Sequence, residues 1–249
     1  MARTKLRQCR EVPTPKSSTP NPLRHCDLRC IRTRGVGTGV RWRVLSGVIL
    51  AAGDSTRMGA PKALLSAPDG RPFVAYIVRT WHVAGLTHIA VVTGHAHDAI
   101  VAALDRDAPV PPPLIVQNDD PSRGQLSSLL VGLDAIATTS TEGVLMTLVD
   151  VPLARPETVA AVIGAWRRTR APIVRPAIGD RHGHPVLFDR RVFEELRRAP
   201  ATAGAKAVVR AHQDRIVNVE VSDEGCVVDI DTPFDYERYL KRYRNPPQN

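Results

Sequence analysis

The stretch LAAGDSTRMGAPKALL, residues 50–65, ends one kind of sequence and begins another. Upstream it belongs to GVILAA, residues 47–52, a short apolar run that reads as a strand buried on both faces. Downstream it becomes a loop carrying Gly53, Arg57, Gly59 and Lys62. Glycines let backbone N–H groups approach phosphate oxygens closely, and a guanidinium with an ammonium neutralises a polyphosphate. The loop therefore suits an anion, although an ordinary strand-to-helix turn with surface Arg and Lys has the same composition. Its spacing excludes two common phosphate loops. Gly53 and Gly59 are six apart and are followed by Ala-Pro-Lys, which fits neither G-x-x-x-x-G-K-[ST] nor G-x-G-x-x-G.

Beyond this segment the chain alternates short β-branched runs with helical patterns, the order expected of βαβ units. Strands are predicted at 47–52, 88–94, 113–118, 143–150, 171–177, 184–188, 215–221 and 226–231. Helices are predicted near Phe73–Val83, Asp98–Leu104, Leu126–Ala137, Pro156–Arg168, Asp189–Arg198, Ala203–His212 and Pro233–Tyr243. The early strands are nearly continuous apolar runs, as a parallel sheet covered on both faces requires. The expected fold is a three-layer α/β/α, Rossmann-like domain over residues 44–249 with a mostly parallel sheet. Ligands of such sheets sit at the carboxyl ends of strands, so the chemistry is sought after Ala52, Gly94, Asn118 and Asp150.

Composition narrows the function further. The 249 residues are 43% hydrophobic and carry a formal charge of +9, which suggests a nucleic-acid partner until it is divided along the chain. Residues 1–43 hold 11 Lys/Arg and 2 Asp/Glu, leaving 23 of each in the remainder. The body is neutral, so it has no basic field to steer a nucleic acid. The first 43 residues are rich in Pro, Ser and Thr without periodicity and read as a disordered basic tail or a spurious extension. They have neither the apolar core of a secretory signal nor a twin arginine, and no stretch approaches the roughly 18 apolar residues of a membrane span. A cytoplasmic protein is expected. Cys9, Cys26 and Cys30 fall in the tail and only Cys226 in the body, so no disulfide framework is expected. The pairs His95/His97 and His182/His184 have no third ligand nearby in sequence and read as polar loop residues.

The full string at 50–65 resembles the signature LAAGxSxRMGxxKxLL of the MobA-like NTP transferases, of the molybdenum cofactor (molybdopterin) cytidylyltransferase type. Every fixed position is present: Leu50, Ala51, Ala52, Gly53, Ser55, Arg57, Met58, Gly59, Lys62, Leu64 and Leu65. The LAAG form is more similar to the cytidylyltransferase branch than to the guanylyltransferase branch, which reads LAGG. Further likeness lies in Gly124, Ser127, Ser128, Leu129, Gly132 and Leu133, in Asp150-Val151-Pro152, in Gly183–Phe188 and in Asp229–Pro233. Leu126 stands where the family has a serine, and Thr202 and Lys206 replace an Asp and an Arg in a segment that faces the acceptor in the family. The resemblance implies a GT-A-like nucleotidyltransferase that takes an NTP, CTP by the LAAG form. The nucleotide would lie along Leu50, Ala51, Ala52, Gly53, Gly59 and Lys62, with Asn118 and Ser127. Mg²⁺ would lie at Asp150, and the acceptor near Gly183, His184 and Pro185.

The chemistry asks for these residue types independently of the name. An acceptor phosphate attacks the α-phosphate of an NTP while pyrophosphate leaves, so charge must be neutralised on both sides of phosphorus. Arg57 and Lys62 suit that task, and Asp150 at a strand end suits Mg²⁺, which prefers one or two carboxylates with substrate and water. A hydrogen-bonded core aspartate is the plain alternative for Asp150. Asp229 and Asp231, two apart on a predicted strand, would share a face, and Asp231 is the favoured second metal ligand. Asp231 equally suits the N-cap of the helix beginning at Pro233. The reaction that the resemblance implies is transfer of CMP to molybdopterin, with a molybdoenzyme as a further partner. Two alternatives stay open: transfer to a sugar phosphate or another small phosphorylated acceptor, and a non-catalytic module that carries nucleotide or cofactor.

Overall fold

The computed structural model describes residues 44–53, 55, 58–138 and 140–244. The tail of 43 residues, its three cysteines and Arg57 lie outside the described residues. Eight strands form one sheet: β1 (Val44–Ala51), β2 (Ile89–Thr93), β3 (Leu114–Gln117), β4 (Thr141–Leu148), β5 (Ile173–Ile178), β6 (Arg181–His182), β7 (Val186–Asp189) and β8 (Ile216–Glu220). Seven α-helices accompany them among the described residues: α1 (Phe73–Val83), α2 (His97–Asp107), α3 (Gln125–Ile136), α4 (Pro156–Thr169), α5 (Phe193–Arg198), α6 (Ala205–Ala211) and α7 (Pro233–Arg244). No helix of the described residues is long and apolar enough to cross a membrane.

The sheet runs β3-β2-β1-β4-β7-β5-β6, with β8 paired to β5. Strands β1 to β4 are mutually parallel, as is the β5–β8 pair. Strand β7 lies antiparallel between β4 and β5. The seven residues from Gly179 to Pro185 are too few for a crossover, so the chain turns back through β6 and fills the place that the α4 crossover left open.

Side chains along β1 show why a continuous apolar run is needed here. Val48 and Leu50 enter the core under α3, α5 and α6, whereas Ile49 and Ala51 enter the one under α1 and α4. Each residue is buried, on alternate faces, which gives the three layers. Helix α3 comes unusually close to the sheet at Gly132. A Cβ there would stand 2.5 Å from Val48 Cγ1 and 2.8 Å from Val92 Cγ2. That close approach brings the amino end of α3 to the carboxyl end of β1.

One predicted strand is absent. Residues 226–231 begin in a 3-10 turn, Glu224–Val227, and continue as an extended segment outside the sheet. The buried Asp223 carboxylate explains the turn, because it accepts from Gly225 N at 3.1 Å and, in the other direction, from Arg155 N and Thr158 Oγ1 at 2.7 Å each. These bonds commit the backbone to a turn and tie it to the start of α4. The segment is then held by single bonds, His184 N to Cys226 O at 2.7 Å and Ile230 N to Asp150 O at 2.8 Å.

Candidate functional site

Beyond Ala51 the chain leaves the sheet, and Ser55, with a positive φ of 50°, turns it over the carboxyl end of β1. Ser55 Oγ accepts from Lys62 N at 3.0 Å, closing the loop onto the 3-10 turn Lys62–Leu64. That contact fixes the root of the Lys62 side chain. Asp150 follows β4, the neighbour of β1, and Val149 N donates to Leu50 O at 3.0 Å, so both strand ends stay in register. The two chain segments meet in a cleft of about 270 Å³ lined by Leu50, Ala51, Ala52, Gly53, Ser55, Lys62, Asp150 and Asp231, with Gly124, Gln125 and Ser128 opposite.

Lys62 Nζ donates to Asp231 Oδ1 at 2.5 Å and to Asp150 Oδ2 at 3.3 Å. Residues 88 and 169 positions away in sequence thus converge on one ammonium. The other Asp150 oxygen, Oδ1, is buried and has no hydrogen-bond partner among the described residues. A buried carboxylate oxygen without a donor is costly, so the arrangement does not fit a core aspartate satisfied by hydrogen bonds. Asp229 stands near the same charges. Burial, then the Asp150 and Asp231 carboxylates, push its carboxyl above the usual range, while Lys62 pulls it back.

The cap alternative for Asp231 is also decided by partners. Thr232 Oγ1 accepts from Asp235 N at 3.2 Å, and the Asp235 carboxylate accepts from Thr232 N at 2.9 Å and Asp231 N at 3.3 Å. This reciprocal pair caps α7 and leaves the Asp231 carboxylate to face Lys62.

Asn118 and Ser127 are placed differently from the loop residues. Asn118 is buried and its Nδ2 donates to Ser127 Oγ at 3.0 Å and Ser128 Oγ at 2.9 Å, while its Oδ1 accepts from Asp120 N at 3.1 Å. Its amide fastens the end of β3 to the first turn of α3, and Ser128 rather than Ser127 lines the cleft. Gln125, which no sequence pattern singled out, also reaches the wall because it opens α3. The N–H groups of a helix start favour an anion there.

Gly183, His184 and Pro185 lie between β6 and β7, outside the residues that line the cleft. The His184 Nδ1 is buried and makes no hydrogen bond among the described residues. Burial lowers the pKa of this ring, with the Met146 carbonyl and the Asp150 charge opposing. Among the described residues no group of three or more His, Cys, Asp and Glu is arranged to hold a metal ion, the two histidine pairs included.

A glycine-lined cleft at the carboxyl ends of the parallel strands β1 and β4, with carboxylates gathered around one lysine, places the chain among α/β proteins that handle nucleotides. The chain belongs to the MobA-like NTP transferase family, whose model matches residues 47–216, and is a nucleotidyltransferase by that membership. It is 34% identical over 207 residues to nicotine blue oxidoreductase of Paenarthrobacter nicotinovorans, covering 79% of this chain and 96% of that protein. It is 32% identical over 132 residues to a probable molybdenum cofactor guanylyltransferase of Rhodopirellula baltica, covering 52% of this chain and 59% of that one. The crystal structure of Rv0371c from Mycobacterium tuberculosis H37Rv superposes with a TM-score of 0.68 at 29% identity, over 80% of this chain and 99% of that chain. The same protein has been solved in complex with manganese, at a TM-score of 0.65 and 28% identity, over 80% of this chain and 98% of that chain.

Proposed function

We propose that this nucleotidyltransferase transfers CMP from CTP to a phosphorylated acceptor of the molybdopterin kind and releases pyrophosphate, in the cytoplasm and with Mg²⁺. One observation carries the reading: Lys62 and Asp150 face the same cleft, 3.3 Å apart, beneath the glycine loop. A triphosphate lying along Leu50–Gly53 would meet a positive group and a metal-binding group together.

The residues present fit a divalent cation. Asp150 Oδ1 is buried without a donor, Asp231 turns to the same point, and the remaining ligands would come from phosphate and water, as Mg²⁺ prefers. Such a cation, when bound at Asp150 and Asp231, would neutralise charge on the α-phosphate and the departing oxygen. The rest falls to the chain. An acceptor phosphate oxygen forms the new bond to the α-phosphorus as the bond to the pyrophosphate oxygen breaks. Lys62 and Arg57 stabilise the charge that leaves with pyrophosphate, and the amino end of α3 at Gly124 and Gln125 holds the nucleotide from the far wall. A phosphate nucleophile is already ionised and needs no general base. Asn118 and Ser127 keep α3 and the β3 end in place, and Gly183, His184 and Pro185 shape the approach of the acceptor.

Pyrophosphate release by the full chain, measured with each NTP against molybdopterin and a panel of sugar phosphates, tests this reading. CTP with molybdopterin is expected to be turned over fastest. Turnover only with a sugar phosphate would replace the acceptor, and tight nucleotide binding with no release would replace catalysis by carriage. The extent of the match to nicotine blue oxidoreductase favours a second reading, hydride transfer between a soluble donor and nicotine blue in the same cleft. Bleaching of nicotine blue that consumes an added hydride donor, such as a reduced nicotinamide nucleotide, mole for mole and without pyrophosphate release would select it.

A further inference from the structure

We propose that Lys62 is an internal counter-ion that occupies the cation position between Asp150 and Asp231 until a nucleotide draws it away, so that the site takes up metal poorly without nucleotide. The inference rests on the proposed function, which assigns those two carboxylates to a divalent cation. In the structure the ammonium already fills that role, at 2.5 Å from Asp231 Oδ1 and 3.3 Å from Asp150 Oδ2. A divalent ion bound by both carboxylates cannot share this space with Nζ, because like charges a few ångströms apart repel strongly outside bulk water. One of the two must leave.

The chain allows the lysine to leave without unfolding anything. Its backbone is pinned by the Ser55 hydroxyl, while four rotatable bonds lie between that anchor and Nζ. Rotation within the same cleft carries the ammonium from the carboxylates toward the Leu50–Gly53 backbone, where the triphosphate would lie. Triphosphate and metal then exchange partners with the lysine, phosphate taking Nζ and metal taking Asp150 and Asp231. Asp150 Oδ1 shows that the lysine satisfies the pair incompletely, since this buried oxygen stays without a donor. The contact is therefore a replaceable stand-in rather than a finished structural ion pair.

Binding of Mn²⁺ alone to the full chain, read from the loss of the free-ion electron paramagnetic resonance signal, tests the idea without any turnover. Lys62→Met and Lys62→Gln are each expected to bind Mn²⁺ at least tenfold more tightly than wild type in the absence of nucleotide. Lys62→Arg keeps a cation in place and is expected within threefold of wild type. Adding Asp150→Asn to Lys62→Met is expected to abolish the gain. If Lys62→Met and Lys62→Gln bind no more tightly than wild type while Asp150→Asn still weakens binding, the exchange is wrong and the metal assignment beneath it stands. If Lys62→Met and its Asp150→Asn double variant bind equally, the metal assignment fails and the exchange fails with it.

Discussion

At the scale of single residues, Asp231 could serve a helix or a ligand, and its neighbour decides. Thr232 and Asp235 cap α7 between them, so the Asp231 carboxylate is left to Lys62. Thr232→Ala should then cost about 1 kcal/mol of stability, a usual value for a lost N-cap hydroxyl, seen as a lower urea midpoint with unchanged slope. Asp150→Ala, which removes an oxygen without a donor, should instead leave stability close to wild type, whereas Lys62→Ala strips Asp150 and Asp231 of their counter-charge and should lower it; each should reduce turnover at least tenfold, about 1.4 kcal/mol in the barrier. The cleft lining was readable in the sequence where a short motif carries it, Gly53 and Lys62 in the string at 50–65 and Asp150 in Asp150-Val151-Pro152. It was less readable where neighbours choose the partner. Ser127 and Ser128 are one helical position apart, about 100°, and both accept from the Asn118 amide, so only the way α3 packs on the sheet brings Ser128 and not Ser127 to the cleft.

At the scale of elements, most of the fold follows from apolar periodicity, and α1 has the same limits in the structure as in the sequence, Phe73–Val83. The failure at 226–231 has a definite cause. CVVDID has the composition of a strand, but Asp223, three residues earlier, spends its carboxylate on Gly225 and the start of α4 and sets a turn instead. No periodicity reports a bond between residues 68 positions apart. The turn is packed against the β6–β7 connection so closely that a Cβ on Gly183 would stand 2.2 Å from the Cys226 carbonyl oxygen. Gly183→Ala should therefore push away backbone rather than a flexible side chain and destabilise the protein by roughly 1–3 kcal/mol, as overpacking commonly does. A melting temperature equal to wild type would show that this turn yields freely. The Cys226 thiol beneath it is fully buried and is pushed up to about 12 by burial, so it should react slowly with thiol reagents in the native state.

At the scale of the whole molecule, two cores share one sheet, and the cleft opens where both stop, at the carboxyl ends of β1 and β4. Burial lowers the pKa values of His82, His182 and His184, so between their folded values and the unfolded value near 6.5 the unfolded chain binds more protons. Stability should accordingly fall as pH drops below about 6.5. Asp229, with its raised pKa, has the opposite sign, contributing stability at low pH that is lost as pH rises through its folded value. His184→Asn should flatten the loss of melting temperature between pH 7 and pH 5, and an unchanged slope would remove His184 from this account. The neutral body and the cleft chemistry fit the small charged ligand proposed above. The central claim is that a glycine-lined cradle and a carboxylate act, through Lys62 and Asp150, on one triphosphate. A double-mutant cycle on kcat/KM for pyrophosphate release tests it most directly, using wild type, Lys62→Ala, Asp150→Ala and the double variant. Groups that work as a unit on one triphosphate should give a double variant scarcely slower than the worse single variant, whereas losses that multiply in full would show that the two residues act apart.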